Sequence, residues 1–333
     1  MGIPPSESPE IDFSASRPVS EGPRTYIPPA PSYHLRPEPI WRYVLLFALT
    51  VLTTTYAGGL HYESFLIGFS GREPDLGLMH LFAHGWWYSA SILAILGCHE
   101  LGHYYACRYY RVDASRPYFL PMPLLLTGTL GAFIRIRTPI PGKRALFDIG
   151  IAGPIAGFLV AVPLLLVGMY LSTVVPVPDD IRGDLFELGE PLLFKGVAWL
   201  TFGTIPLGSS VNMHPMAFAA WFGLLATALN LFPIGQLDGG HISYAVLGRR
   251  STIVTIVMVL CLIGLTFVST SWLVWTVLTV VMLLTFGPRH PRTIDEDIPI
   301  DTGRIWLAAF AVLMFVLCFT PAPIQPGALV GRP

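Results

Sequence analysis

The chain is short of charge: 20 Lys and Arg and 21 Asp and Glu among 333 residues, a charged fraction of 12%, where ordinary soluble domains carry about 25%. So few charges cannot hydrate a water-facing surface, which excludes the soluble globular and the disordered classes. A net charge of −1 supplies no basic field, and the Lys and Arg sit in short loops between apolar runs, so no nucleic-acid partner is expected. Cysteine is scarce as well. Cys98, Cys107, Cys261 and Cys318 form no CxxC pair and lie in or beside apolar runs, which excludes a secreted disulfide framework and marks them as reduced packing residues. The N-terminus has no basic region followed at once by an apolar stretch, so no cleaved signal peptide is expected.

What is abundant is apolar length. With 53% hydrophobic residues and a mean hydropathy of +0.60, the chain reads as an α-helical polytopic membrane protein of about six to seven transmembrane helices. Crossings are expected near 41–59, 85–107, 146–173, 215–233 and 305–320. The uncharged run Ser251–Gly287 would measure about 56 Å as one helix, so it must be a hairpin of two spans turning at Ser269-Thr270-Ser271. Residues 1–40 hold ten prolines and read as an extended, disordered tail. Residues 41–320 then form the membrane domain and 321–333 a short C-terminal tail.

Orientation follows from the basic residues, which are enriched in short cytoplasmic loops. Arg108, Arg111, Arg116, Arg135, Arg137, Lys143 and Arg144 against Asp113 place 107–146 in the cytoplasm, together with the N-terminal tail, Arg249-Arg250 and Arg289/Arg292. Asp179, Asp180, Asp184, Glu187 and Glu190 place 174–214 outside, as alternation of seven spans requires, and the C-terminus falls there too. At about 41 residues that outer loop is too small for an inserted domain, and its stretch 191–200 suits the membrane interface. On the inner side, 118–126 is apolar, and the segment from Gly128 to Arg137 alternates at its end like a strand. It reads either as a β element entering the membrane against protein or a wet cavity, or as a surface hairpin.

Inside the second span lies His99-Glu100-Leu101-Gly102-His103. Two histidines four apart on a helix share one face and can reach one zinc ion, while the glutamate beside them approaches its water. A glutamate in an otherwise uncharged span costs free energy and marks function. Zinc hydrolases use three protein ligands, and Asn230-Leu231-Phe232-Pro233-Ile234-Gly235-Gln236-Leu237-Asp238-Gly239-Gly240-His241 offers the third in Asp238, just past a helix-interrupting proline. Taken alone, Asp238 also suits an Asx-turn or a helix cap. His99 would lie about 13 Å from Arg108, a depth similar to that expected for Asp238.

The two separated motifs, His99-Glu100-x-x-His103 and Asn230-x-x-Pro233-x-x-x-x-Asp238-Gly239, resemble the site-2 protease family of intramembrane zinc metalloproteases over about residues 85–245. The resemblance implies one Zn²⁺ per chain held by His99, His103 and Asp238, with Glu100 as general base and acid and Asn230 assisting at the scissile carbonyl. It also implies a membrane-inserted strand pairing with an unwound transmembrane substrate, here Gly131, Ala132, Phe133 and Ile134. The partners implied are a transmembrane protein or peptide substrate and the lipid bilayer. No PDZ or CBS domain of the kind members append is recognisable, and no nucleotide is expected. The rival readings are a membrane metal transporter, a non-proteolytic scaffold with a zinc site, and the prenyl-protein type of HExxH protease, whose third ligand is a later Glu; here Asp295, Glu296 and Asp297 lack the helical motif.

Other residues read as structural. His80 and His84 repeat the spacing of four without a glutamate and suit packing or the interface, with a secondary metal site as the alternative. His214 suits the interface, and His241 either supports Asp238 or packs. Gly153-Pro154-Ile155-Ala156-Gly157 is expected to bring helices close together.

Overall fold

The computed structural model describes residues 38–68, 77–123, 126–178, 186–287, 293, 295 and 298–326. The tail expected to be disordered lies outside these residues except at its end, where Ile40 already begins a helix.

Three long helices come first or nearly so: α1 (Ile40–Ile67), α2 (Leu78–Tyr109) and, after strands β1 (Tyr118–Pro121) and β2 (Thr129–Phe133), α3 (Lys143–Tyr170). Strands β3 (Thr173–Pro176) and β4 (Phe186–Leu188) lead to the short helix α4 (Leu192–Phe202) and strand β5 (Ser209–Asn212). Helix α5 (Pro215–Leu231), α6 (Asp238–Leu247), a 3-10 turn over Gly248–Arg250, α7 (Ser251–Thr266), α8 (Trp272–Phe286), α9 (Thr302–Cys318) and β6 (Ile324–Pro326) complete the described chain. Four stretches are long and apolar enough to cross a membrane, namely α1, α2, α3 and the combined Asp238–Thr266, with α4, α5, α8 and α9 as shorter apolar helices.

Past Pro233, which interrupts the preceding helix, the chain is helical again over Asp238–Leu247. Gly239 and Gly240 lower intrinsic helix propensity, but a side chain at either position would strike the carbonyls of Leu231 and Phe232 or of Ile234 and Gly235. Glycine is what lets this helix start pressed against the end of α5, and tertiary contact overrides propensity. Near the end of the described chain, Ile324–Pro326 pairs antiparallel with β4. The hairpin turn expected at Ser269-Thr270-Ser271 does fall between α7 and α8, where the Ser269 and Ser271 hydroxyls bond each other at 2.8 Å.

Apolar side chains gain little from leaving lipid for another helix, so close backbone approach at small residues and polar links must hold such a bundle. Both devices are present. A Cβ on Gly85 would strike the Thr55 carbonyl of α1, and one on Gly102 would strike the Ala152 carbonyl of α3. Thr54 and Ser89 share a 2.7 Å hydrogen bond between α1 and α2. Helix α5 is the most enclosed element, with Trp221 fully buried and its indole N–H donating to the Gly189 carbonyl at 2.7 Å.

The β1–β2 hairpin pairs Tyr118 with Phe133, Phe119 with Ala132 and Leu120 with Gly131. It lies along α1: Tyr43 stacks on Tyr118 and Phe47 packs edge-on to Phe119. Its tip reaches far along the bundle, where the Leu126 carbonyl meets His61 Nε2 at 2.8 Å and the Thr127 carbonyl accepts from the Tyr88 hydroxyl at 3.1 Å. Tyr88 lies 21 residues from Tyr109 in α2, about 30 Å at helical rise. The hairpin therefore meets α2 well away from that helix's C-terminal end.

Candidate metal centre

His99 and His103 face the same side of α2, and Asp238, the first residue of α6, meets both. The His99 and His103 Nε2 atoms are 3.1 Å apart, and each lies 3.3 Å from Asp238 Oδ2. All three residues are withdrawn from solvent, the histidines fully within the buried class. Among the described residues this is the one group of His, Cys, Asp or Glu whose ligand atoms converge in this way.

The triangle fits zinc. Tetrahedral ligands at bonds of about 2.0–2.1 Å stand about 3.3 Å from one another, close to each of the three observed edges. The ring orientation leads the same way. His103 Nδ1 lies 2.7 Å from the Ile149 carbonyl, which can only accept, so Nδ1 carries a proton and Nε2 is the nitrogen turned to the centre. There it meets a carboxylate oxygen and a second imidazole nitrogen, the donor set of a divalent cation. A carbonyl on the far side of a ligating imidazole is also how zinc sites fix ring orientation.

Asp238 is not a cap. The N-cap of α6 is Leu237, no side chain caps that end, and the Asp238 carboxylate is directed to the histidines. An acid in the first turn also sits well with the positive end of the helix dipole. The chain reaches this point through a tight turn, with Ile234 N–H bonding the Phe232 carbonyl at 2.7 Å and Leu237 N–H the Ile234 carbonyl at 3.0 Å. On either side the centre has the same depth: ten residues separate His99 from Tyr109 in α2 and eleven separate Asp238 from Arg249, each about 15 Å along a helix.

Glu100 is buried beside the triangle without joining it. Its carboxylate lies near the backbone N–H of Ile134, the residue just past β2. Asn230, on the last turn of α5, brings its side-chain amide nitrogen to 3.3 Å from His99 Nε2. Gly131, Ala132 and Phe133 form the end of β2, while Ile134 lies outside the strand. Of the residues named from the sequence, His99, His103 and Asp238 converge, with Glu100 and Asn230 beside them.

Sequence reading missed the wall formed by α3. Besides the Ile149 carbonyl, Gly153 lies so close to the His103 imidazole that a Cβ there would overlap the ring, and a Cβ on Gly157 would stand 3.2 Å from His99 Cβ. The small residues of Gly153-Pro154-Ile155-Ala156-Gly157 do bring helices together as expected, and the surface they bring close is the pair of histidines itself. Gly153→Ala is accordingly expected to weaken zinc binding at least tenfold, measured by competition with a chromophoric chelator. Gly264→Ala, where a Cβ meets nothing within 4 Å, should leave it unchanged; equal affinity in both variants would mean that the His103 ring yields freely.

The remaining histidines are elsewhere. His80 and His84 have ring centroids 4.0 Å apart, and His84 stacks on Tyr62 at 4.4 Å, so they pack as aromatic rings toward the other end of α2. His214 is not an interface residue but a buried cap of α5, its Nδ1 accepting from Met216 N–H at 3.3 Å. Burial pushes its pKa down to about 4, which preserves the neutral acceptor. His241 packs on α3, where a Cβ at Gly150 would stand 3.0 Å from its Cβ.

Comparison with known proteins identifies the same region. The sequence profile described as peptidase family M50 matches residues 87–270. The chain is similar to the probable zinc metalloprotease EGY1, chloroplastic, of Arabidopsis thaliana, with 29% identity over 306 residues, covering 86% of this chain and 54% of that protein. It is similar to the Arabidopsis thaliana EGY2 protein at 30% identity, covering 69% of this chain and 40% of that one. The Oryza sativa subsp. indica EGY2 protein shares 32% identity, covering 71% of this chain and 43% of that protein. The chain thus spans about half the length of the curated relatives it matches. No solved structure matches it.

Proposed function

We propose, from the premise that this chain belongs to peptidase family M50, that it is an intramembrane zinc endopeptidase hydrolysing a peptide bond within or near a transmembrane segment of a protein substrate. The observation that carries this reading is the buried triangle of His99, His103 and Asp238 with a separate carboxylate, Glu100, beside it. A group that binds metal and does nothing else has no use for a fourth, non-ligating acid whose burial costs free energy.

His99, His103 and Asp238 hold the ion. When bound, zinc supplies Lewis-acid polarisation of the scissile carbonyl and acidifies water toward a pKa of about 7. Glu100 takes the proton of the attacking water and returns it to the leaving amine, so the glutamate ends each cycle as it began. The Ile134 N–H lies near the Glu100 carboxylate. Asn230, whose amide is 3.3 Å from His99 Nε2, lies where it can donate a hydrogen bond to the oxygen on which negative charge develops.

A transmembrane helix hides its carbonyls in its own hydrogen bonds, so a substrate must unwind before water can attack. β2 has a neighbour, β1, on one edge, and its other edge suits pairing with an unwound segment, which would compensate the freed groups. Because Ile134 at its end lies near Glu100, a chain paired along residues 131–134 would run toward the catalytic acid. Gly131 has φ +107°, a conformation that side-chain-bearing residues avoid, while a Cβ there would meet nothing within 4 Å. Gly131→Val is therefore expected to distort the edge without crowding the centre, lowering turnover about tenfold or more with zinc retained. Loss of zinc in this variant would make the strand a structural support of the centre.

The bundle is read as crossing the bilayer about seven times, with the basic end, carrying Arg249 and Arg250, in the cytoplasm. The pairing of β4 with β6 supports this alternation, since it places the 174–214 connection and the end of the chain on one side. Cleavage then falls toward the cytoplasmic end of the substrate. A transporter needs a succession of ion sites across the membrane; among the described residues there is this one group, which favours hydrolysis. The test is cleavage of a transmembrane reporter in proteoliposomes, expected to stop on chelation and to resume with zinc.

A further inference from the structure

Asp295, Ile298 and Arg304 lie beyond the residues matched by the family profile, yet they grip the helix that orients His103. Asp295 Oδ1 accepts from the Lys143 backbone N–H at 2.7 Å. This caps the first residue of α3 from 152 positions away and satisfies an end that has no side-chain cap of its own. The Lys143 ammonium in turn donates to the Ile298 carbonyl at 3.0 Å.

One turn further along α3, Asp148 receives the guanidinium of Arg304 edge-on, with Nε on Oδ1 at 2.8 Å and Nη2 on Oδ2. Arg304 also reaches the Tyr110 hydroxyl at 3.2 Å and pairs with Asp301, which caps α9 by accepting from the Arg304 N–H at 3.1 Å. The Tyr110 hydroxyl completes the knot by donating to Asp148. Burial and then the Asp148 carboxylate hold that phenol above its usual pKa, so it remains a donor.

Three helix ends meet in this knot. Tyr110 is the C-cap of α2, the helix of His99, Glu100 and His103; Asp148 precedes Ile149, whose carbonyl holds His103 Nδ1; and Arg304 opens α9. The planar, two-pronged Arg–carboxylate contact fixes position along and around a helix, which a point charge does not. The contact between His103 and the Ile149 carbonyl depends on how far α3 is slid along α2.

We propose that Arg304, acting through Asp148, and Asp295, acting through the N-terminus of α3, are positioning residues that set the register of α3 against α2 and so orient His103 for zinc. This rests on the reading of His99, His103 and Asp238 as a zinc centre, and not on proteolysis. Neither residue touches the metal or the substrate.

The test measures zinc affinity by chelator competition, and the visible absorption of the cobalt-substituted protein, on the full chain in detergent. Arg304→Gln, and Arg304→Lys because a lysine lacks the fork, should each weaken zinc binding about tenfold or more, the scale on which supports of ligating histidines act, and shift the cobalt bands. Asp295→Ala, a milder change, should weaken zinc about threefold. The control is Trp272→Phe, which removes the indole bond to the Pro321 carbonyl near the opposite end of α9 and destabilises the bundle without touching α3. It should leave affinity and spectrum within twofold of the wild type even where its melting temperature falls as far. Unchanged zinc affinity and cobalt bands in Arg304→Lys and Asp295→Ala would overturn the proposal, and so would an equal weakening in Trp272→Phe. A wild-type protein that binds zinc tightly but cuts nothing leaves the clamp testable and refutes the protease instead.

Discussion

Glu100→Gln is expected to retain one zinc per chain and to lose cleavage by about 10²–10⁴-fold, the contribution of a positioned acid-base group, equivalent to about 3–5 kcal/mol of barrier. The side chain is not one of the three converging ligands, so the centre keeps its donors. Glutamine is nearly isosteric and fills the same buried position. What it cannot do is take a proton from water at neutral pH. Metal analysis and reporter cleavage on the same preparation separate the two properties. Zinc loss would make Glu100 a ligand, and retained turnover would remove it from the chemistry.

Asp238→Ala is expected to have the opposite signature, losing the metal first and activity as a consequence. Asp238 is the one donor supplied from outside α2, and its Oδ2 closes both 3.3 Å edges of the triangle. Two histidines remain, too few for a zinc hydrolase centre. Gln236→Ala, two residues away on the exposed turn, should bind zinc like the wild type and controls for damage to the loop. Because a ligand stabilises only the state that binds it, added zinc should raise the melting temperature of Gln236→Ala but barely move that of Asp238→Ala. Stoichiometric zinc with normal cleavage in Asp238→Ala would dismantle the three-ligand centre.

What the sequence made legible follows from how side chains announce themselves. Glu100 stands out because it is a charge in an apolar span, and Asp238 because a proline and three glycines mark a backbone bent for a purpose. Their equal depth could be computed from helical rise alone. The backbone partners could not. The Ile149 carbonyl and the Ile134 N–H carry no residue-type signature, since every residue owns such groups, and only the fold decides which are aimed at His103 and Glu100.

Long-range pairing was equally silent. The acids of the 295–301 loop appeared as candidates of no clear place, and their use, an Asp295 cap on α3 and an Asp301 cap on α9, depends on contacts that local pattern does not encode. Helix α6 was hidden because Gly239 and Gly240 argue against a helix unless a neighbour presses on it. β6 was hidden because a three-residue strand gains its identity from its partner, β4.

The central claim, that His99, His103 and Asp238 form a zinc centre at which Glu100 hydrolyses a transmembrane segment, is tested most directly by one measurement. A transmembrane reporter is incubated with the purified chain in proteoliposomes before chelation, after chelation and after zinc is restored, and the products are mapped by mass spectrometry. The predicted result is a cut in or at the edge of the apolar segment that vanishes with the metal, returns with one equivalent of zinc, and is absent throughout in Glu100→Gln. A cut that survives chelation, or that Glu100→Gln makes as fast as the wild type, would contradict it.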